Sequence, residues 1–269
     1  MTEHSGEFHE KEYARALDVA IRAGGLLLES GAEIRRVEDT VIRIATHFGM
    51  NVKTTIYSLT SALFISAEIP EKGIGFSRVL QVPMKRMRLN HLIHLNQFSR
   101  DLAAGKYTLE EAEEVIDGIA TEKDPPYLIR IVAALVASFC FALMFGGGFL
   151  EAAVAGIAGV LAFLFVSGPG ARISKLIANF TGGAVFSLIA ILVPKIFPAL
   201  GLRSVYIMLG AMMPLVPGVS FMNSFRDFAN GDYLSGTIRL LDAILIGTCL
   251  ASGGAIVWRL IEFIGGLVG

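Results

Sequence analysis

Residues 127–146 read YLIRIVAALVASFCFALMFG, and the only charge among them is Arg130, near the start. A helix rises about 1.5 Å per residue, so a run of this length crosses the ~30 Å hydrocarbon core of a bilayer. Four later segments qualify on the same ground: 149–166 (FLEAAVAGIAGVLAFLFV), 173–193 (ISKLIANFTGGAVFSLIAILV), 204–225 (SVYIMLGAMMPLVPGVSFMNSF) and 238–261 (IRLLDAILIGTCLASGGAIVWRLI). The breaks fall at Gly146-Gly-Gly, Ser167-Gly-Pro-Gly, Pro194 with Pro198, and Asn230-Gly231. Residues 127–269 are therefore expected to form a transmembrane domain of about five helices.

Upstream of residue 127 the chemistry changes. Residues 1–126 carry 15 Lys+Arg and 19 Asp+Glu, against 8 and 5 in residues 127–269. The whole chain is 54% hydrophobic and 17% charged, below the roughly one-quarter charged that soluble domains carry. The first 126 residues alone are charged like a soluble domain. Nothing in the polar start, MTEHSGEFHEKEYARALD, forms the apolar core of a cleavable signal. The N-terminal domain is thus expected in the cytosol, below a cell (inner, cytoplasmic) membrane. Five crossings then place Arg172, Lys175, Arg226 and Arg239 inside and Lys195, Arg203 and Arg259 outside, a bias whose sign agrees with positive-inside.

The N-terminal domain shows two periods. Tyr13, Leu17, Ala20, Ile21, Gly24 and Leu28 make the apolar stripe of a helix over 11–29, closed by Ser30-Gly31. Ile34, Val37, Val41, Ile44 and Phe48 make the seam of a second helix over 33–48, stopped by Gly49. Its Arg35/Asp39 and Asp39/Arg43 spacings put charges on another face, either solvated or a docking face. β-Branched and aromatic sequence predicts three antiparallel strands at 51–57, 60–68 and 75–82, with a turn at Pro70-Glu71-Lys72-Gly73 and a stop at Pro83. Two helices follow at 86–104 and 108–120, the second capped by Thr108. The fold class is an α-helical polytopic membrane protein with an N-terminal α+β cytosolic domain.

Several chemistries find no support. A net charge of −1 and one short basic cluster, Lys85-Arg86-Met87-Arg88, give no nucleic-acid signal; the cluster suits a solvated helix start or an anionic headgroup. There is no phosphate-binding loop and no G-x-S-x-G or H-E-x-x-H sequence. His91 and His94 have metal-compatible spacing but no third ligand, so surface histidines are expected there. Cys140 and Cys249 lie in apolar runs and suit small buried hydrophobes. No cofactor is expected.

Polar groups at membrane depth each need a reason. Asn179, with Thr181 nearby, serves either an interhelical hydrogen bond or a substrate contact. Asp242 has Arg239 three residues before it, which suggests an interfacial ion pair or a transport role. Ala152, Gly156, Gly159, Gly182, Gly183, Ser187, Gly247, Gly253 and Gly254 permit close helix approach. The fourth segment is the most informative. Pro214, Pro217 and Gly218 fall within five positions, removing backbone donors and freeing carbonyls one turn earlier. Lipid satisfies none of these groups, so such a break belongs against protein or water. It is either a kink or the kind of broken helix with which transporters hold small polar substrates. Ser220 and Asn223 lie just beyond it, followed by Arg226, Asp227 and Asp232.

Two stretches, Ser30-Gly31-Ala32-Glu33 through Arg36-Val37-Glu38 and Pro214-Leu-Val-Pro217-Gly218 through Asn230-Gly231-Asp232-Tyr233, resemble the threonine/serine exporter family, and domain order and length resemble the larger subunit of its split, two-component form. The resemblance implies a smaller membrane subunit as partner, an oligomer in the membrane, export of threonine, serine or a dicarboxylate such as succinate, and drive by the proton motive force. On this reading Asn179, Pro214, Pro217, Gly218, Ser220 and Asn223 bind substrate or gate, and Asp227, Asp232 or Asp242 carries the coupled proton. The competing expectation is a membrane-anchored enzyme or sensor acting through the N-terminal domain.

Overall fold

The computed structural model describes residues 10–52, 62–69, 74–82 and 87–268. The chain divides into two compact units, Met1–Asp124 with Met222–Arg239, and Pro125–Phe221 with Leu240–Gly269.

In the first unit, α1 (Glu10–Glu29) is the central element. It packs on α2 (Ile34–His47), α3 (Leu89–Ala103), α4 (Leu109–Thr121) and two strands. Ala16, Leu17, Ala20, Ala23 and Leu27 are completely buried. Arg15 and Arg22 instead face α4, where Arg15 pairs with Glu113 at 2.7 Å and Arg22 with Asp117. The α2 seam is as expected, with Ile34, Val37, Val41 and Ile44 in the core. The sheet is antiparallel in the order β1 (Asn51–Val52), β2 (Ala62–Ile69), β3 (Ile74–Gln81). Leu63, Ile65 and Ala67 alternate into the core, the period of two that a half-buried strand requires. Most of the predicted first strand, the turn at 70–73, Pro83 and the basic pair Lys85-Arg86 lie outside the described residues. Thr108 caps α4 reciprocally: its Oγ accepts from Glu111 N (3.3 Å) and Glu111 Oε2 accepts from Thr108 N (2.8 Å).

His91 is not a surface histidine. It is buried in the α3 core face with Nε2 unpartnered, while His94 lies outside and pairs through Nδ1 with Glu122 (3.0 Å). Their three-residue spacing straddles the edge of the apolar stripe, so one falls in and one out.

The second unit contains α5 (Tyr127–Met144), α6 (Phe149–Ser167), α7 (Lys175–Ile196), α8 (Ser204–Met212), the start of α9 (Gly218–Ala229) and most of α10 (Tyr233–Val268). Among the described residues four helices are long and apolar enough to cross a membrane, and five if the bent pair α8–α9 counts as one span. α6 lies centrally, against α5, α7 and α8. Most of its buried residues are small (Ala152, Ala155, Gly156, Ala158, Gly159, Ala162), with Glu151 and Val166 at its ends, while Leu128, Ile129 and Val132 on α5 and Ile157 and Leu161 on α6 are exposed. Small residues inside and large apolar ones outside is the pattern lipid imposes, because a bilayer offers no hydrophobic penalty to an exposed leucine.

That pattern corrects two expectations. Cys140 is exposed rather than buried, and Cys249 is intermediate; an apolar run in a membrane helix does not imply burial. Gly247 has nothing within 4 Å of where a Cβ would stand and marks no helix contact. The others do: Gly183 and Gly253 lie against the backbone carbonyls of Leu250 and Phe180, so α7 and α10 touch backbone to backbone. Pro194 does not end its helix. α7 continues to Ile196, since proline's φ suits a helix and this late only one backbone bond is forfeited.

Candidate functional site

Helix α1 ends with Gly31 at φ +83°, with Gly31 N bonded to Leu28 O and Ala32 N to Leu27 O, both at 3.0 Å. This left-handed glycine cap consumes amide groups and turns the Gly31 and Ala32 carbonyls outward. Helix α9 ends the same way, at Gly231 (φ +84°), with Asp232 N on Asp227 O at 2.9 Å. Within the first unit these two helix ends meet. Asn223 Nδ2 donates to Gly31 O (3.0 Å), and Arg239 donates from Nη1 to Gly31 O (3.4 Å) and from Nη2 to Ala32 O (2.7 Å).

The third edge of the Arg239 guanidinium faces Asp227, with Nε 3.3 Å from Oδ2. Both side chains are buried, Asp227 at 1% and Arg239 at 7% exposure, and Ser30, Ser224 and Ser235 are completely buried. Neither Asp227 oxygen makes a hydrogen bond of ordinary geometry. Facing them are Arg239, the Ile34 backbone N–H, Asp232 and Glu33. At the rim, Asn230 Nδ2 donates to Glu33 Oε1 (2.7 Å), Arg35 Nη1 to Asn230 Oδ1 (3.4 Å), and Arg226 stands 3.8 Å from Glu33. Glu38 on α2 is pushed above the ordinary carboxylate range, chiefly by burial and then by the Asp232 and Asp39 charges, with Arg35 opposing.

The predicted residues fall into three places. Asn223, Asp227 and Asp232 join the cluster just described, where Asp232 Oδ1 accepts from Ser235 N (3.1 Å) and so caps α10. Asn179 and Asp242 lie in the second unit: Lys175 Nζ reaches both Asp242 oxygens (2.8 and 2.9 Å), while Asn179 Nδ2 donates to the Lys175 carbonyl one turn back on its own helix (2.7 Å), an intrahelical bond rather than the interhelical one expected. The expected Arg239–Asp242 pair is not formed. Three positions apart on α10, the two side chains engage different partners. Pro214, Pro217, Gly218 and Ser220 make the break itself. Pro214 sits in a short 3-10 turn (Met213–Leu215), Pro217 precedes α9, Gly218 begins it, Ser220 is half-buried one turn on, and the pair is bent by 63°.

Sequence reasoning did not single out the structural roles of Glu33, Asn230 and Lys175, and it set Arg239 beside Asp242 where the structure pairs it with Asp227. The available signal was that both quoted stretches are polar turns after helices, but nothing in a pattern says that two turns touch. Among the described residues no group of three metal-ligating side chains assembles. A cavity of about 490 Å³ on α2, lined by Asp39, Ile42, Arg43, Thr46, His47 and Ala103, is lined by none of the predicted site residues. The cluster is a buried carboxylate facing one buried guanidinium.

Residues 18–261 match the family described as "Putative threonine/serine exporter" (ThrE). A curated relative, the "Probable threonine/serine exporter" of Mycobacterium tuberculosis, is 22% identical over 263 residues, covering 93% of this chain and 47% of the relative. The chain thus spans about half the length of that relative. No solved structure matches. The bent, proline-broken span, the apolar helices and a match running through both units agree, and the chain belongs to the threonine/serine exporter family.

Proposed function

We propose that this chain is a subunit of a secondary exporter for small polar metabolites, threonine and serine or a dicarboxylate such as succinate, working at the cytoplasmic membrane with its N-terminal domain in the cytosol. The partner is a smaller membrane subunit of the same family, expected from the resemblance to the split form, and the drive is the proton motive force. The observation that carries the coupling is the buried Asp227–Arg239 pair at the end of the broken span. Of the three candidate carboxylates, Asp232 is committed to capping α10 and Asp242 is bridged by a lysine. Asp227 faces the buried Arg239 guanidinium and the Ile34 backbone N–H, so its proton affinity depends on where Arg239 stands. Asn223, Ser220 and Asn179 are the proposed polar contacts for substrate, and Pro214, Pro217 and Gly218 the flexible gate.

The test is efflux from cells preloaded with labelled serine, threonine or succinate, expressing this chain with and without the partner. Efflux that needs both chains and collapses with an uncoupler supports the proposal and names the substrate. Absence of efflux of all three, with both chains inserted, overturns it.

A further inference from the structure

The Arg239 guanidinium has two sets of acceptors: the Asp227 carboxylate on one edge and the backbone carbonyls of the α1–α2 turn on the other two. The first set titrates and the second does not. Asp227 belongs to α9, Arg239 to α10, and Gly31 and Ala32 to the N-terminal domain, all within one compact unit. The guanidinium is therefore the joint through which a proton on α9 is felt by the N-terminal domain. We propose that Arg239 is a positioning residue that ties the α1–α2 turn to the α9–α10 hairpin in a proton-dependent way, so that the N-terminal domain reads the protonation state of the carrier. This rests on the exporter reading for its purpose, but not for its physics.

With Asp227 ionised, Arg239 is neutralised in place, and its two outer N–H groups hold the turn. With Asp227 protonated, a buried guanidinium is left without a counter-ion, which is costly. It is then drawn toward the other carboxylates whose charges act on Asp227, those of Asp232 and Glu33, and releases the turn. The charges on every packed element enter this balance. Glu33 is shared with Asn230 and Arg226, Asp232 caps α10 and raises Glu38 on α2, and Arg35 and Asp39 flank Glu38. Asn223 on Gly31 O is an uncharged tie that persists in both states.

The experiment is hydrogen exchange of the purified full-length protein in detergent, read as protection factors for amides 31–38 between pH 8 and pH 5. The wild type is expected to lose protection by about tenfold over that range, a local opening of ordinary size. Asp227→Asn is expected to show low-pH protection throughout, with no step. Arg239→Lys keeps the charge but cannot span a carboxylate and two carbonyls, so its step shrinks while α3 and α4 stay protected. A step of wild-type size in either variant overturns the proposal, and if Asp227→Asn does not accumulate, Arg239→Lys decides alone. Efflux in the same variants separates the two readings. Loss of the exchange step with no export by the wild type sinks the exporter reading and leaves the tie standing; normal export with an unaltered step sinks the tie.

Discussion

Asp227 and Arg239 are each tolerable where they are because of the other. A buried charge whose partner is removed costs about 3–5 kcal/mol, much more than the pair itself contributes. Arg239→Gln should therefore destabilise the protein by roughly that amount, and Asp227→Asn added to it should recover about 1–3 kcal/mol as the coupling of the pair. Thermal unfolding of the two single variants and the double variant checks this, and strict additivity would refute it. His91 makes a second prediction, about pH. Burial, helped by Arg88 and opposed by Glu122 and Glu29, holds the imidazole below its ordinary 6.5. The unfolded chain then takes the proton first, so stability is full above 6.5 and declines as pH falls through the folded value. His91→Leu should flatten that decline between melts at pH 7.5 and pH 5.5. At this scale the sequence singled out Asn179 and Asp242 as polar residues at membrane depth that need a reason. Partners were not legible: the partner of Arg239 is a carbonyl some two hundred positions away, and the partner of Asp242 is not its helical neighbour.

The elements were legible where local chemistry alone decides them. The α1 and α2 stripes, the Gly31 and Gly49 stops and the Thr108 cap all follow from period and capping groups. Thr108→Ala should cost about 1 kcal/mol, seen as a lower thermal midpoint, because the Glu111 amide loses its acceptor. What a neighbour decides was not legible. Gly247 and Gly253 look alike in sequence on one apolar helix. Gly253 lies on the Phe180 carbonyl, with Ala184 N 2.9 Å from where its Cβ would be, while Gly247 faces open space. Gly253→Val should thus push α7 and α10 apart and cost about 1–3 kcal/mol or more. Gly247→Val, with the same change in propensity and no clash, should remain near wild type. Heat-induced aggregation of the solubilised proteins separates the two, and equal loss in both would mean that propensity rather than packing governs the site.

For the whole molecule, charge asymmetry divides the chain at residue 126 and leaves residues 222–239 with the apolar half. Those residues belong by contact to the N-terminal unit. α5, α6 and α7 are each long and apolar enough to cross a membrane. The start of α10 is bound to Gly31 and Ala32. Five crossings require the bent pair α8–α9 to be a broken span, and four make it a re-entrant loop. The helical stretch Tyr233–Ile264 of α10 is 32 residues, about 48 Å of helix, longer than a core of ~30 Å requires. Five crossings put residue 114 on α4 and residue 262 on α10 on opposite faces. In a chain with Cys140 and Cys249 replaced by serine, a membrane-impermeant maleimide should label Glu114→Cys only in inside-out vesicles and Glu262→Cys only in intact cells. Labelling of both from one side would mean four crossings, with α8–α9 a re-entrant loop.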